Sequence, residues 1–133
     1  MGGFRCLSVP SDGARRAVEW CWWGRSKRSY LYVVHGLDAT LACQPGNFIA
    51  ARRQGRGWDA LYIGESDDLS TIFERSPGRR LLIARQATHI HTHVSSRNAC
   101  ERRAEQCDLL INLAPLRGAN ADWAGCTSMV GRS

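Results

Sequence analysis

Three histidines stand two apart in the run Thr88-His-Ile-His-Thr-His-Val94. Side chains on a strand alternate with period two, so His89, His91 and His93 would share one face. Imidazoles at such spacing can chelate zinc, but no cysteine or carboxylate nearby is spaced to complete a ligand set. The competing expectation is a partly exposed face of hydrogen-bonded histidines. A second group is basic: Arg52, Arg53, Arg56, Arg75, Arg79 and Arg80. Such side chains grip phosphates without reading sequence, or else form a solvated face. Trp20, Trp22, Trp23, Trp58 and Trp123 could stack on bases, although three of the five are expected in the core. Tyr32 and Tyr62 lie in segments of strand composition, where an aromatic ordinarily packs on the sheet.

A chain of 133 residues makes one domain with tails, long enough for a core and too short for two. Its formal charge of +6 suits an anionic partner, nucleic acid being the commonest, although a basic surface also serves solubility. No apolar run approaches the ~20 residues of a membrane-spanning helix. Met1-Gly-Gly-Phe-Arg-Cys6 lacks the apolar stretch of a signal peptide. A cytoplasmic protein with no membrane partner is expected. Cys6, Cys21, Cys43, Cys100, Cys107 and Cys126 are scattered without a Cys-x-x-Cys pair. Reduced thiols packed as small apolar groups are the expectation.

The elements that must position these residues are short. Residues 1–15, rich in Gly, Ser, Pro and Arg, predict a loose arm, and Ala17 to Trp23 a short strand or edge segment laid on the core. Gly24 to Ser29 is a basic turn. Tyr30 to His35 predicts a strand closed by Gly36. Leu37 to Asp59 reads as a long connection containing a Gln44-Pro-Gly-Asn47 turn. Ala60 to Gly64 is the second strand. Ser66, Asp67 and Asp68 cap a short helix to about Arg75, stopped by Ser76-Pro-Gly78. Arg79 to Gln86 allows another short helix, and Thr88 to Val94 alternates as the third strand.

Cys100, Ala104, Cys107, Ile111 and Ala114 recur at spacings of four and three, predicting a helix with one apolar stripe. Asn98 and Glu101 can open it as a capping box, and Pro115 and Gly118 end it. Cys100 and Cys107, two turns apart at about 10 Å, are beyond disulfide reach. The chain divides into an arm with an edge strand (1–28), a domain (29–120) and a tail (121–133). The fold class is α/β, a three-stranded antiparallel sheet flanked by helices.

Tyr62-Ile-Gly64 followed by Asp68-Leu69, then Thr88-His-Ile-His91, then Arg102-Arg-Ala-Glu-Gln-Cys-Asp-Leu-Leu110 ahead of Pro115, resembles the GIY-YIG nuclease family, and especially its small stand-alone bacterial members. The resemblance runs from about residue 30 to 120, roughly two thirds of the chain. Strand, strand, helix, helix, strand, helix is that family's core order. The resemblance implies in-line phosphodiester hydrolysis around one divalent metal, Mg²⁺ or Mn²⁺. Strand tyrosines position or activate the water, an arginine steadies the phosphate, and a helix glutamate holds the metal. It places the two tyrosines at Tyr32 and Tyr62, on neighbouring antiparallel strands facing one groove. Gly64 would turn the backbone out of the strand beside that groove. Nucleic acid, DNA more than RNA, is the implied partner, with Arg52, Arg53, Arg56, Arg79 and Arg80 on the rim.

The chain departs from that pattern. Ten residues beyond Tyr62, where the family keeps its arginine, stands Ile72. Arg75 follows one turn later, displaced by ~4.5 Å, and catalysis is sensitive to ~1 Å. Nine residues before Pro115 the glutamate position falls on Gln106, which lacks the charge that hard cations need. Glu105 is adjacent but rotated by ~100°; a one-residue shift of register would restore it. Glu65 stands where several members carry a cation, and would discourage a phenolate at Tyr62 or help hold a metal. Tyr30 takes the place of the family's glycine. The expectation is a nucleic-acid-binding domain with degenerate or weak phosphodiesterase activity. An active endonuclease would instead recruit Arg75 beside Tyr32 and Tyr62, with Glu65 or Glu105 on the metal. A protein-interaction or metal-binding scaffold is a third reading.

Overall fold

A computed structural model of the chain describes residues 5–7, 18–75 and 78–113, the first three by backbone alone. The strands are β1 (Arg5–Leu7), β2 (Val18–Trp23), β3 (Ser29–Gly36), β4 (Gly46–Gln54), β5 (Gly57–Ser66) and β6 (His89–Val94). A 3-10 helix (Leu69–Glu74), α1 (Gly78–Ala84) and α2 (Ala99–Leu113) complete the fold. Among the described residues these six strands form one sheet in the order β1-β2-β3-β6-β4-β5, with every pairing antiparallel.

The α/β class is as expected, but the sheet has six strands where three were expected. The strand hidden in the supposed 37–59 connection is β4. Gly46 to Ala51 is buried at every position because both faces of the sheet are covered there. A strand covered on both sides shows no polar alternation, so the period-two signal is missing. β2 is not an edge either, since residues 5–7, expected to be loose, pair along its outer side. The expected order of strand, strand, helix, helix, strand, helix is carried by β4, β5, the 3-10 helix, α1, β6 and α2. The Tyr30–His35 strand precedes that set and does not open it.

Two apolar clusters lie on the two faces. Phe48, Ala50, Tyr62, Ile90, Leu69, Ile72 and Leu82 pack under the 3-10 helix and α1. Trp22, Tyr32, Ile49, Ala51, Ile63, Leu109 and Leu110 pack under α2. A bulge sets the parity of β5: Ala50 pairs with Tyr62 and Ala51 with Ala60, leaving Leu61 with no opposite residue. Trp58, Ala60 and Ile63 therefore all face α2, while Tyr62 faces the other way.

The expected cap of α2 is present, with Asn98 Oδ1 accepting from the Glu101 N–H at 2.8 Å. The expected apolar stripe is not. Cys100, Ala104 and Ile111 are exposed, Cys107 is half-buried and Ala114 lies outside the described residues. The helix instead buries Arg102, Glu105, Gln106, Leu109 and Leu110. Period alone could not choose between these faces, because the polar side chains acquire partners only from distant strands. Cys21, Cys43, Cys100 and Cys107 are all free thiols, and only Cys21 of these is buried. The helix expected over 66–75 is a 3-10 turn whose cap, Asp68, accepts from the Ser70 N–H at 3.0 Å. Among the described residues no helix is long and apolar enough to cross a membrane.

Candidate functional site

Strand register assembles the polar side chains before α2 closes over them. Trp20 pairs with Tyr32 and Trp22 with Tyr30. Val34 pairs with His91, which in turn faces Ile49, and His93 faces Asn47. Alternation therefore turns Trp20, Trp22, Tyr30, Tyr32, His89, His91 and His93 toward α2. The shared histidine face is as expected, but the three rings have different partners.

At the centre is Glu105, whose side chain is wholly buried. The Tyr32 hydroxyl donates to its Oε2 at 2.6 Å and His93 Nδ1 to the same oxygen at 2.9 Å. Arg97 closes an ion pair on Oε1. Burial alone would raise the carboxyl pKa, but the hydrogen bonds from His93, Tyr32 and Arg97 outweigh it and hold the group below the ordinary range. Burial, then the charge and hydrogen bond of Glu105, push the Tyr32 phenol well above 10. Tyr32 is thus a proton donor to an ionised carboxylate and not a base.

Asp108, about one helical turn further on, ties down the β2–β3 turn. Its Oδ1 accepts from the Ser26 N–H at 2.8 Å, and its Oδ2 from the hydroxyls of Ser26 at 2.6 Å and Tyr30 at 2.8 Å. Only glycine fits at 24, because a Cβ there would lie 2.0 Å from the Asp108 carboxylate. Burial and Asp108 together raise the Tyr30 phenol to about 12. A groove of about 280 Å³ opens here, lined by Ser26, Arg28, Tyr30, Arg97, Glu101 and Asp108 among others. It offers two guanidiniums and a phenol beside carboxylates, able to meet a mixed or anionic polar group.

The other end of the same face is aromatic. Trp22 Nε1 donates to His91 Nδ1 at 2.9 Å, which places the His91 proton on Nε2. Among the described residues that buried nitrogen has no hydrogen-bond partner, and the His91 ring packs against Trp58, the two nearly perpendicular at 4.6 Å between centroids. Burial, then the neighbouring His89 and His35, depress the His91 pKa to about 3.

The residues singled out by the resemblance do not converge. Tyr32 and Tyr62 were expected on neighbouring strands. They stand on β3 and β5, separated by β6 and β4, and face opposite sides of the sheet. The neighbour of Tyr62 is β4, and the aromatic nearest it there is Phe48, with ring centroids 5.7 Å apart. Gly64 serves that packing and does not turn the chain out of the strand. A Cβ on it would come within 2.7 Å of Phe48, and β5 continues to Ser66. Ile72 is sealed in the core at 1% exposure, whereas Arg75 is exposed, with extended backbone just past the helix. Arg75 thus does not share the face of Ile72. Gln106 is buried under α2 and donates its amide to the Ile63 carbonyl at 3.2 Å.

The expected rim is also dispersed. Arg52 pairs with Asp59 at 2.9 Å, Arg53 lies over Trp58, and Arg56 is exposed at the β4–β5 turn. Arg79 covers Phe73 and Arg80 is exposed on α1, across the sheet. Glu65 stands 3.9 Å from Arg103, and both oxygens of Glu105 are occupied by donors. Among the described residues no group of three or more His, Cys, Asp or Glu is placed to hold a metal ion. Sequence reasoning misses the roles of His93, Arg97 and Asp108. Their partners lie 12, 8 and 78 positions away, and only the His93-x-x-x-Arg97 and Glu105-x-x-Asp108 spacings hint at them.

No protein-family model, curated protein or solved structure matches the chain.

Proposed function

We propose that the chain is a nucleic-acid-binding domain related to the GIY-YIG nucleases that hydrolyses phosphodiesters weakly or not at all. One observation carries the reading: the positions that hydrolysis would bring together are built into separate parts of the core. Tyr62 and Ile72 belong to the apolar cluster beneath α1, and Gln106 lies on the opposite face. If β4 and β5 are the family's paired strands, the first-motif aromatic is Phe48, which has no hydroxyl to orient water. Binding draws on the formal charge of +6 and on exposed arginines such as Arg53 and Arg56. DNA is the first partner to try. In a plasmid-nicking assay with Mn²⁺, wild type and Tyr62→Phe are both expected to leave supercoiled DNA intact while still retarding it in a low-salt gel. Cutting that disappears in Tyr62→Phe would sink the reading.

A second reading has its own support, the ionised Glu105 with Tyr32, His93 and Arg97 beside a groove carrying Arg28. On that reading Glu105 would be the residue to hold Mg²⁺ or Mn²⁺ in place of its ion pair with Arg97, and the metal would supply a Lewis acid for the phosphate. Nicking would then be lost in Glu105→Gln and kept in Tyr62→Phe.

A further inference from the structure

Beyond phosphate contact, the end of the β4–β5 hairpin carries a layered pair of side chains. Past Ala51 and His89, the last residues paired between β4 and β6, β4 and β5 run on as a two-stranded ribbon to Gln54 and Gly57. Gly55, at φ +59, opens its two-residue turn, a conformation that suits glycine and matches the strand twist. Arg53 and Trp58 stand directly opposite each other on this ribbon, so both face the α2 side. The exposed Arg53 guanidinium lies 4.9 Å from the centroid of the half-buried indole, a cation–π contact. Trp58 is itself held from several sides, by His89 at 4.8 Å, His91 at 4.6 Å and Trp20 at 6.4 Å between ring centroids. An aromatic group so braced loses little freedom when a ligand arrives. The Arg53 N–H donates to Thr88 Oγ1 at 2.9 Å and its Nε to the Gly55 carbonyl at 3.3 Å, tethering the side chain at both ends. Asp59 points to the other face, where it pairs with Arg52 at 2.9 Å, and so does not compete for Arg53. Burial first of all lowers the pKa of both His89 and His91 from 6.5, so these rings stay neutral at pH 7 and Arg53 is the cation on the indole.

We infer that Arg53, layered on Trp58, is a stacking platform for one unpaired base, so that the protein prefers single-stranded nucleic acid. The inference rests on the nucleic-acid reading above and narrows it. A base laid on the outer side of the guanidinium completes an aromatic–cation–aromatic stack, as unpaired bases do on arginine planes. Arg56, exposed on the adjoining turn, meets the flanking phosphate. The interior of a duplex cannot offer this, because both faces of each base are already stacked. The platform needs the flat guanidinium and not the charge alone, which separates it from phosphate gripping. Lysine carries the same charge on a compact ammonium with no plane to stack.

The test is fluorescence anisotropy at low salt with labelled oligo(dT), an abasic strand with the same number of phosphates, and a duplex of equal length. Oligo(dT) is expected to bind about tenfold tighter than the abasic strand, and tighter than the duplex. Arg53→Lys, an exposed change that leaves the core untouched, should erase that preference while keeping the salt dependence. Arg56→Lys should leave the preference as it is. Equal affinity for oligo(dT) and the abasic strand, duplex bound as tightly as oligo(dT), or a full preference in Arg53→Lys overturns the platform while leaving nucleic-acid binding intact. No binding of any strand overturns the parent reading as well.

Discussion

His91 is 0% exposed, and a side chain with no path to water must fold in whichever charge state it can keep there. With Trp22 donating to one ring nitrogen and burial pushing the pKa to about 3, that state is neutral. The unfolded chain takes up a proton near pH 6.5 that the folded chain refuses until about pH 3. Stability therefore falls as pH falls through that window, by up to about 1.4 kcal/mol per pH unit, and does not depend on this group above it. His35 and His89, also lowered by burial, act in the same sense. Glu105, held below the ordinary carboxylate value, contributes stability above that value and loses it as pH falls from there toward its depressed pKa. Urea unfolding should thus show a lower midpoint at pH 5 than at pH 7, with the difference largely gone in His91→Gln. An unchanged difference in the variant would rule out His91 as its source. None of this was legible in the sequence, although the histidine alternation predicted a shared face correctly. The donor that fixes His91 is 69 residues away on another strand. Tyr32 and Glu105 both stand out in the sequence, but they are 73 residues apart and nothing local joins them.

Short elements decide which residues each face receives. The 3-10 helix hangs from Asp68 and drives Leu69 and Ile72 into the core. Ile72→Arg, which restores the residue type that the resemblance calls for, would bury a guanidinium among Phe48, Tyr62 and Leu82. The expected loss is about 3–5 kcal/mol, read as a lower urea midpoint, with no gain of nicking. A variant as stable as wild type that cuts DNA would mean that Ile72 does not pack inward. Legibility at this scale follows burial. β3, β6 and the start of α2 were readable because strand composition, alternation and a cap, respectively, marked them. β4 was not, being covered on both faces, and apolar spacing points to the wrong stripe of α2 because its buried face is largely polar.

For the molecule as a whole the question is where its charge meets a partner. The β2–β3 turn, with Arg25, Lys27 and Arg28, and the β4–β5 turn, with Arg56, lie at opposite ends of the strands. Charge reversal at Arg53 and Arg56 should weaken single-strand binding. It should also flatten the logarithmic salt dependence by about 0.7 for each phosphate no longer neutralised. The same change at Arg25 and Lys27 should alter both far less. Equal effects from the two ends would show that the charge acts as a diffuse cloud and not through one docking surface.

Leu61, the residue of β5 that faces no partner, has a consequence for how such a chain can change over generations. Substitution alters what a strand position is, but only the gain or loss of one residue alters which side of the sheet it serves. A lineage that gained one residue in β4 opposite Leu61 would make the pairing regular, and would have to turn either Trp58 away from the aromatic end or Tyr62 toward Glu105 and Gln106. One insertion could thus remove the Trp58 indole from that face or bring a phenol to it beside a carboxylate, with neither aromatic substituted. Length at this single point, more than the identity of any tyrosine, separates the two chemistries.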